Sequence, residues 1–328
     1  MLWNFHGLTI EGQSRDDQLR ERWLTAFASR PASAAAPDLS CALNIVAEAP
    51  APPARAPQFK QGHLLEYYLD GDTAIAHFPR FGQLRLDLAR GLSEGRIVRP
   101  ALETYGVLED LIAIALSPHL RRRGLFLIHA FAAAHAAFSP GEADASLAGV
   151  RQSFRAVLLV GDIGAGKTTT GMALLNAGWK LLSNDSPVLR NTEVLSYPGL
   201  LAAYPDTFAR FPATAHFAAA QPTAAGRKKF TIAAEAIWPE IWRARAPAAA
   251  ILFPQIEPRA DHVLEPLRPP EALRLLLPHA IEQWDKAVIP AHLALLGQFV
   301  KAAPAYRLRL APDVLAIPAV LEKSIANL

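Results

Sequence analysis

Cysteine is nearly absent from this chain: Cys41 is the only one among 328 residues. An internal disulfide is therefore excluded, and a zinc site built from cysteines is not expected. A protein without disulfides fits a reducing compartment, so we expect it in the cytoplasm.

A strong charge of either sign is also lacking. The 33 Lys and Arg residues face 30 Asp and Glu residues, which leaves a net charge of +3. The isoelectric point near 9.1 reflects this small surplus. Neither nucleic acid nor an anionic membrane is expected as a partner, because both select strongly basic surfaces.

Long apolar runs are absent too. The longest uncharged run near the middle of the chain, Leu125 to Pro140, contains His129 and His135 and is shorter than the roughly 20 apolar residues of a spanning helix. The opening MLWNFHGLTIEG has no basic region followed by an apolar core, so no secretory signal is expected. We therefore expect a soluble protein with no membrane partner.

One stretch, RAVLLVGDIGAGKTTTGMALLNAGWKLLSNDS from Arg155 to Ser186, carries a specific chemical motif. Gly161, Gly166, Lys167 and Thr168 match the spacing G-x-x-x-x-G-K-[ST] of a loop that binds nucleotide phosphates. The residues predicted to hold the nucleotide are Gly161, Asp162, Ile163, Gly164, Ala165, Gly166, Lys167, Thr168 and Thr169. Asp162 is expected to be exposed.

The motif also stands in the local context that it requires. Residues 156–160 are uncharged and mostly branched, which predicts a strand buried on both faces. Residues 168–177 predict a helix that Gly178 ends. The alternative is a glycine-rich turn that matches the motif by chance. Such a turn would not need a strand before it and a helix after it.

The chemistry of such a loop follows from its backbone. Glycine N–H groups approach phosphate oxygens because no Cβ blocks them, and the following helix adds the positive end of its dipole. Lys167 would neutralise the β and γ phosphates, and the Thr168 hydroxyl would join the shell of a magnesium ion. The sequence therefore predicts a nucleotide and Mg²⁺ at this loop.

An acidic residue follows at the end of the next predicted strand. Asp185 is the first acid after the helix, and Asn184 precedes it in WKLLSND. Ligands of open α/β sheets bind at the carboxyl ends of strands, so Thr168, Asn184 and Asp185 are the predicted metal ligands. Asp185 is also the predicted group that orients or deprotonates an acceptor.

A histidine lies on the strand predicted just before the loop. Residues 125–134, LFLIHAFAAA, predict a strand that pairs antiparallel with residues 156–160 and places His129 beside the loop. An imidazole there could orient the γ phosphate or the nucleophile. The alternative is a core histidine with one hydrogen bond, because its neighbours are apolar.

Two stretches of the chain resemble the catalytic domain of HPr kinase/phosphorylase and of HPr-kinase-related proteins. They are GDIGAGKTTTGMALLNAGWKLLSND and the LIHA that precedes it. The resemblance covers residues 124–188 well and the rest only weakly. It implies an α/β fold with a P-loop kinase core distantly similar to phosphoenolpyruvate carboxykinase. It also implies ATP and Mg²⁺ as cofactors, a serine-type hydroxyl as the acceptor, and Lys167, His129 and Asp185 as catalytic residues.

Two departures from that family limit what it implies. The acid pair of HPr kinase is Asp-Asp, whereas this chain has Asn184 and Asp185, and Asn cannot act as a base. No glycine-rich stretch after Asp185 matches the signature of the bifunctional enzyme. HPr itself and phosphorylase activity are therefore not expected, and the acceptor is an unidentified protein, peptide or small molecule.

Two alternative functions remain open. A nucleotide hydrolase or switch would turn over ATP or GTP without phosphorylating an acceptor. A nucleotide-binding scaffold, or pseudokinase, would bind without turnover, as Asn184 in place of an acid suggests. A homo-oligomer is compatible with either.

The chain is predicted to divide near residue 100. Residues 1–100 predict a β-rich accessory region with an Ala- and Pro-rich linker, and residues 101–328 predict the kinase-like domain. Within the first region, residues 63–89 predict a small antiparallel meander with a turn at Asp70 and Gly71. Residues 100–120 predict one helix, whose carboxyl end Arg121, Arg122 and Arg123 would cap; an acidic partner is the alternative for these three.

The second half carries one dense basic cluster, Gly226 to Phe230, which could close over the phosphates or form a solvated turn. Further strands are predicted at residues 248–253 and 306–310, and further helices at residues 270–277, 289–302 and 320–328.

Overall fold

The computed structural model describes residues 1–27, 31–62, 64–136, 154–219, 229–280 and 282–325. The chain forms two compact units, Met1–Leu125 with Glu282–Pro290, and Phe126–Ile281 with Ala291–Leu328. The boundary along the chain therefore follows Leu125, whereas the sequence predicts it near residue 100. The difference arises because a helix after residue 100 packs on the first sheet.

The first unit is built on a mixed sheet of eight strands, in the order β1-β2-β3-β8-β7-β6-β5-β4. Its strands are β1 Leu2–Phe5, β2 Leu8–Gln13, β3 Leu39–Val46, β4 Phe59–Gln61, β5 Leu65–Asp70, β6 Thr73–Phe78, β7 Gly82–Asp87 and β8 Leu92–Val98. The predicted meander and its turn form β5 to β7. The expected small antiparallel sheet is larger and mixed, because β3 pairs parallel with both β2 and β8.

Three helices accompany this sheet: α1 Asp17–Ala26, α2 Pro100–Glu103 and α3 Val107–Arg121. The prediction of one helix over residues 100–120 is wrong, because Gly106 adopts φ 78° and separates α2 from α3. Tyr105, in the break between the two helices, is 47% exposed.

The second unit contains a nine-stranded mixed sheet and a separate two-stranded sheet. Its strands are β9 Phe126–Leu127, β10 Ala130–His135, β11 Arg155–Val160, β12 Lys180–Ser183, β13 Val188–Arg190, β14 Glu193–Leu195, β15 Leu201–Ala203, β16 Phe230–Ile232, β17 Arg245–Ile256, β18 Val263–Leu267 and β19 Ala305–Leu310. Its helices are α4 Lys167–Asn176, α5 Pro205–Phe208, α6 Ala215–Ala219, α7 Pro269–Leu276, α8 Ile289–Ala302 and α9 Ile317–Ile325. The expected α/β class is confirmed.

The large sheet carries apolar side chains on both faces. Phe131, Val157 and Leu159 belong to one buried cluster, with α4 and α9. Leu158 and Val160 belong to the opposite cluster, with α7 and α8. The predicted burial of the central strand on both faces is therefore confirmed. Leu293 of α8 lies outside that opposite cluster and is 40% exposed.

The strand order decides which groups meet at one edge of this sheet. The central order is β12-β10-β11-β17, with β19 beyond β17. β11, β17 and β19 run parallel, so their carboxyl ends share one edge. β10 runs antiparallel between β11 and β12 and therefore begins at that same edge, where β12 ends.

The strand predicted over residues 125–134 is interrupted. Ile128 and His129 separate β9 from β10, because β9 pairs with β13 whereas β10 pairs with β11 and β12. The predicted antiparallel pairing with the strand before the loop is confirmed for β10. No helix among the described residues could cross a membrane.

Candidate functional site

The glycine loop joins the end of β11 to the start of α4. Gly164 has φ 87° and Gly166 has φ 99°, a region that side chains with a Cβ rarely adopt. A Cβ on Gly166 would also lie 2.8 Å from Leu310 Cδ1. Glycine is therefore required at Gly166 by both its conformation and its packing. At the other end of α4, Gly178 has φ 91° and ends the helix as predicted.

Lys167 is folded over this loop. Its ammonium donates hydrogen bonds to the carbonyl oxygens of Gly161 at 2.6 Å and Asp162 at 3.1 Å. Burial lowers the pKa of Lys167; Asp185 opposes that effect and the Lys229 ammonium adds to it. Asp162 and Ile163 project outward, with the Ile163 side chain 87% exposed. The Lys167 cation is therefore held beside the backbone that would face an anion.

His129 and Asp185 lie in contact at the same edge of the sheet. His129 Nδ1 lies 3.2 Å from Asp185 Oδ1, with the two side chains 41% and 59% exposed. The Ala130 N–H donates to the Asp185 carbonyl at 2.9 Å, which ties the start of β10 to the end of β12. His129 is thus not a core residue, and the pair is open to solvent.

The turn that presents Asp185 is held by a local hydrogen-bond set. The Ser183 hydroxyl accepts from the N–H of Ser186 at 3.0 Å and of Asp185 at 3.4 Å. Ser183 is itself buried at the end of β12. The chain therefore turns sharply after the strand, and the carboxylate points out of the sheet edge.

A second histidine, which sequence reasoning did not identify, lies at this site. The carbonyl of His279 accepts from the His129 N–H at 2.7 Å, and the two rings stack with centroids 6.2 Å apart. His279 Nε2 lies 3.9 Å from Asp162 Oδ1. Burial lowers the pKa of His279, Asp162 opposes that shift, and His129 and Lys167 add to it. No sequence motif links His279 to the loop, because His279 follows α7 and is far from the loop along the chain.

The predicted metal ligands offer the oxygen donors that Mg²⁺ prefers. Asp185 supplies a carboxylate that is 59% exposed, and Thr168 supplies a hydroxyl at the start of α4. Asn184 Oδ1 is buried without a hydrogen-bond partner in the described part of the chain. Mg²⁺ at phosphate sites uses one or two protein carboxylates, with water and phosphate for the rest. Asp185 and Thr168 fit that pattern.

The basic cluster before β16 is described only in part. Gly226, Arg227 and Lys228 lie outside the described residues. Lys229 Nζ lies 5.6 Å from the centre of the Tyr204 ring, and its charge helps to lower the pKa of Lys167. One cation of the predicted cluster is therefore close to the loop lysine.

The chain was compared with protein-family models and with curated proteins, and neither comparison produced a match.

Proposed function

We propose that this protein is an ATP- and Mg²⁺-dependent kinase with a P-loop kinase core of the HPr kinase type, acting on a hydroxyl acceptor in the cytoplasm. The observation that carries the proposal is that the glycine loop with Lys167 shares one sheet edge with the His129 and Asp185 pair. Phosphoryl transfer needs a cradle for the phosphates and a group that positions the nucleophile. These residues supply both.

Each residue has a defined part in this proposal. The loop N–H groups and Lys167 hold the phosphates of ATP, while Thr168 and Asp185 hold Mg²⁺, which neutralises charge on the phosphates when it is bound. The acceptor oxygen attacks the γ phosphorus, the bond to the bridging oxygen of ADP breaks, and Asp185 takes the hydroxyl proton. The His129 ring keeps the Asp185 carboxylate in position through its 3.2 Å contact.

The direct test compares charge-removing variants with a matched lysine control. Lys167→Ala should lower the affinity for ATP by about tenfold or more, measured by calorimetry with Mg²⁺, because a charge-assisted phosphate contact is lost. Lys301→Ala, which removes an exposed lysine of α8, should leave ATP affinity unchanged. Absence of ATP binding by the unaltered protein would refute the proposed function.

Transfer itself is tested with ATP labelled at the γ phosphate. Asp185→Asn should lose the labelled product, because the amide cannot take a proton and holds Mg²⁺ less strongly than the carboxylate does. The candidate acceptors are the proteins, peptides and small molecules of an extract, and the labelled molecule identifies the substrate class. Equal labelling by Asp185→Asn would show that Asp185 does not have this role.

Asn184 favours a second function, a nucleotide-binding scaffold, because only one of the two adjacent positions carries a carboxylate. A scaffold would bind ATP tightly and produce neither free phosphate nor labelled acceptor at saturating Mg²⁺. A hydrolase or switch would release phosphate without labelling any acceptor.

A further inference from the structure

A cavity of about 250 Å³ lies on the side of the glycine loop away from His129 and Asp185. It is lined by Gly166, Thr169 and Thr170 at the start of α4, and by Ile256 and Leu310 at the ends of β17 and β19. β17 and β19 follow β11 on one side of the sheet, whereas β10 and β12 lie on the other. The loop therefore stands between the reactive pair and the cavity.

The cavity combines an apolar body with a few polar groups. Ile256, Leu310 and Ile317 line its apolar part, and Arg210 is exposed at its border. Thr169 Oγ1 lies 3.5 Å from Thr207 Oγ1 and is also part of the lining. This mixture suits a flat ring with apolar faces and hydrogen-bonding edges.

One lining group has an unmet hydrogen-bonding requirement. Thr170 is 1% exposed, and its hydroxyl has no hydrogen-bond partner in the part of the chain that is described. The oxygen itself has almost no accessible surface, so a ligand in the cavity contacts the rest of the lining and not this atom.

The size of the cavity limits its occupant. Pockets for whole drug-sized ligands start at roughly 300 Å³, so a cavity of about 250 Å³ takes one ring system and not a complete nucleotide. The triphosphate must lie along the loop outside the cavity. A ligand that fills both places is a nucleoside triphosphate with its base inserted.

We propose that this cavity binds the nucleobase, so that the nucleotide lies across the loop with its base between the ends of β17 and β19 and its γ phosphate toward Asp185. This inference rests on the proposed function, since it assumes that the loop holds phosphates. It adds the site that selects the nucleotide and the direction in which the nucleotide lies.

The test separates base binding from phosphate binding by using ATP and inorganic tripolyphosphate, each with Mg²⁺, in calorimetry on the full chain. Ala311→Leu enlarges a buried residue of the lining. It should weaken ATP binding by about tenfold and leave the affinity for tripolyphosphate unchanged. Ala294→Leu, at an exposed position of α8, is the matched control and should change neither affinity.

The tripolyphosphate measurement also guards against misfolding, because a misfolded variant would lose the affinity for both ligands. The ranking of ATP, GTP and CTP on the unaltered protein then identifies the base.

The outcomes distinguish this inference from the proposed function. If neither ATP nor tripolyphosphate binds, the proposed function fails. If both bind with equal affinity, or if Ala311→Leu leaves ATP binding unchanged, the base lies elsewhere and only the further inference is overturned. Retained ATP binding with loss of acceptor labelling would assign the cavity to the acceptor and would equally overturn it.

Discussion

At the scale of single residues, Gly171 shows how closely α4 packs on the sheet. A Cβ added to Gly171 would lie 2.4 Å from the ring of Phe131, which is fully buried in β10. Alanine favours a helix by about 1 kcal/mol over glycine, but overpacking costs about 1–3 kcal/mol. We expect Gly171→Ala to lower the free energy of unfolding by about 1 kcal/mol, measured by urea titration.

Gly297 is the control for that prediction. It lies within α8, and an added Cβ would meet no atom within 4 Å. Gly297→Ala should therefore raise the free energy of unfolding by up to about 1 kcal/mol. If both alanine variants were more stable than the unaltered protein, the close packing of Gly171 against Phe131 would be contradicted.

His119 predicts a dependence of stability on pH. It is buried in α3, and its Nε2 lies 2.9 Å from Ser93 Oγ, whose own proton goes to the Ala115 carbonyl. Burial lowers the pKa of His119 from 6.5 to about 4, and Arg123 and Arg122 add to the shift. The unfolded chain therefore binds this proton more readily than the folded protein does. The contribution of neutral His119 to the free energy of unfolding is complete above about pH 6.5 and is lost as the pH falls toward 4.

We expect this loss to reach about 3 kcal/mol. The measurement is the free energy of unfolding from pH 8 to pH 4 for the unaltered protein and for His119→Gln, which cannot titrate. The difference between the two proteins isolates His119 from the other histidines. A difference that stays constant with pH would contradict the prediction.

At the scale of elements, the three arginines at the carboxyl end of α3 have two structural roles. Arg122 and Arg123 donate to the carbonyl oxygens of Pro118 and His119, which confirms the predicted cap. Arg121 is instead buried, with Nη1 2.7 Å from Glu282 Oε1. Burial alone would raise the pKa of Glu282, but the guanidinium beside it holds that pKa below its ordinary value. Arg121 and Arg122 thus fasten residues 282–285 to the rest of the first unit.

Asp285 tests the strength of this attachment. It is 3% exposed and receives two hydrogen bonds from Arg122, at 2.6 and 3.0 Å. Removing one partner of a buried ion pair leaves an uncompensated charge, so Asp285→Asn should lower the free energy of unfolding by about 3 kcal/mol. Glu271→Gln breaks an exposed pair with Arg268 and should cause no measurable change in the same urea titration. Equal effects would contradict the role of burial.

The strand order around the loop could not be predicted from the sequence, whereas the loop itself could. The loop, its strand and its helix follow from short-range spacing, and all lie within a residue or two of their predicted bounds. The spacing also placed Asp185 at a strand end. It did not show that β10 would lie between β11 and β12, because pairing depends on contacts between strands, which a local pattern does not encode.

At the scale of the whole molecule, the accessibility of the single cysteine shows whether the first unit is folded. Cys41 is fully buried in β3 between β2 and β8, and burial raises the pKa of its thiol to about 12. The thiolate is the reactive form. We expect no modification by a thiol-reactive dye at pH 8 in native buffer, and complete modification once urea unfolds the first unit. Rapid labelling without urea would contradict this burial.

The sequence by itself determined the local chemistry of this protein: a glycine loop with Lys167, an acid at the end of the next strand, and a histidine before the loop. These features depend on residues close in the chain, where spacing controls backbone geometry. Only the tertiary structure brought His279 against His129 and opened the cavity beside Thr170. Both arise where α7, β17 and β19 converge on the loop, and the order of strands, not their composition, decides that convergence.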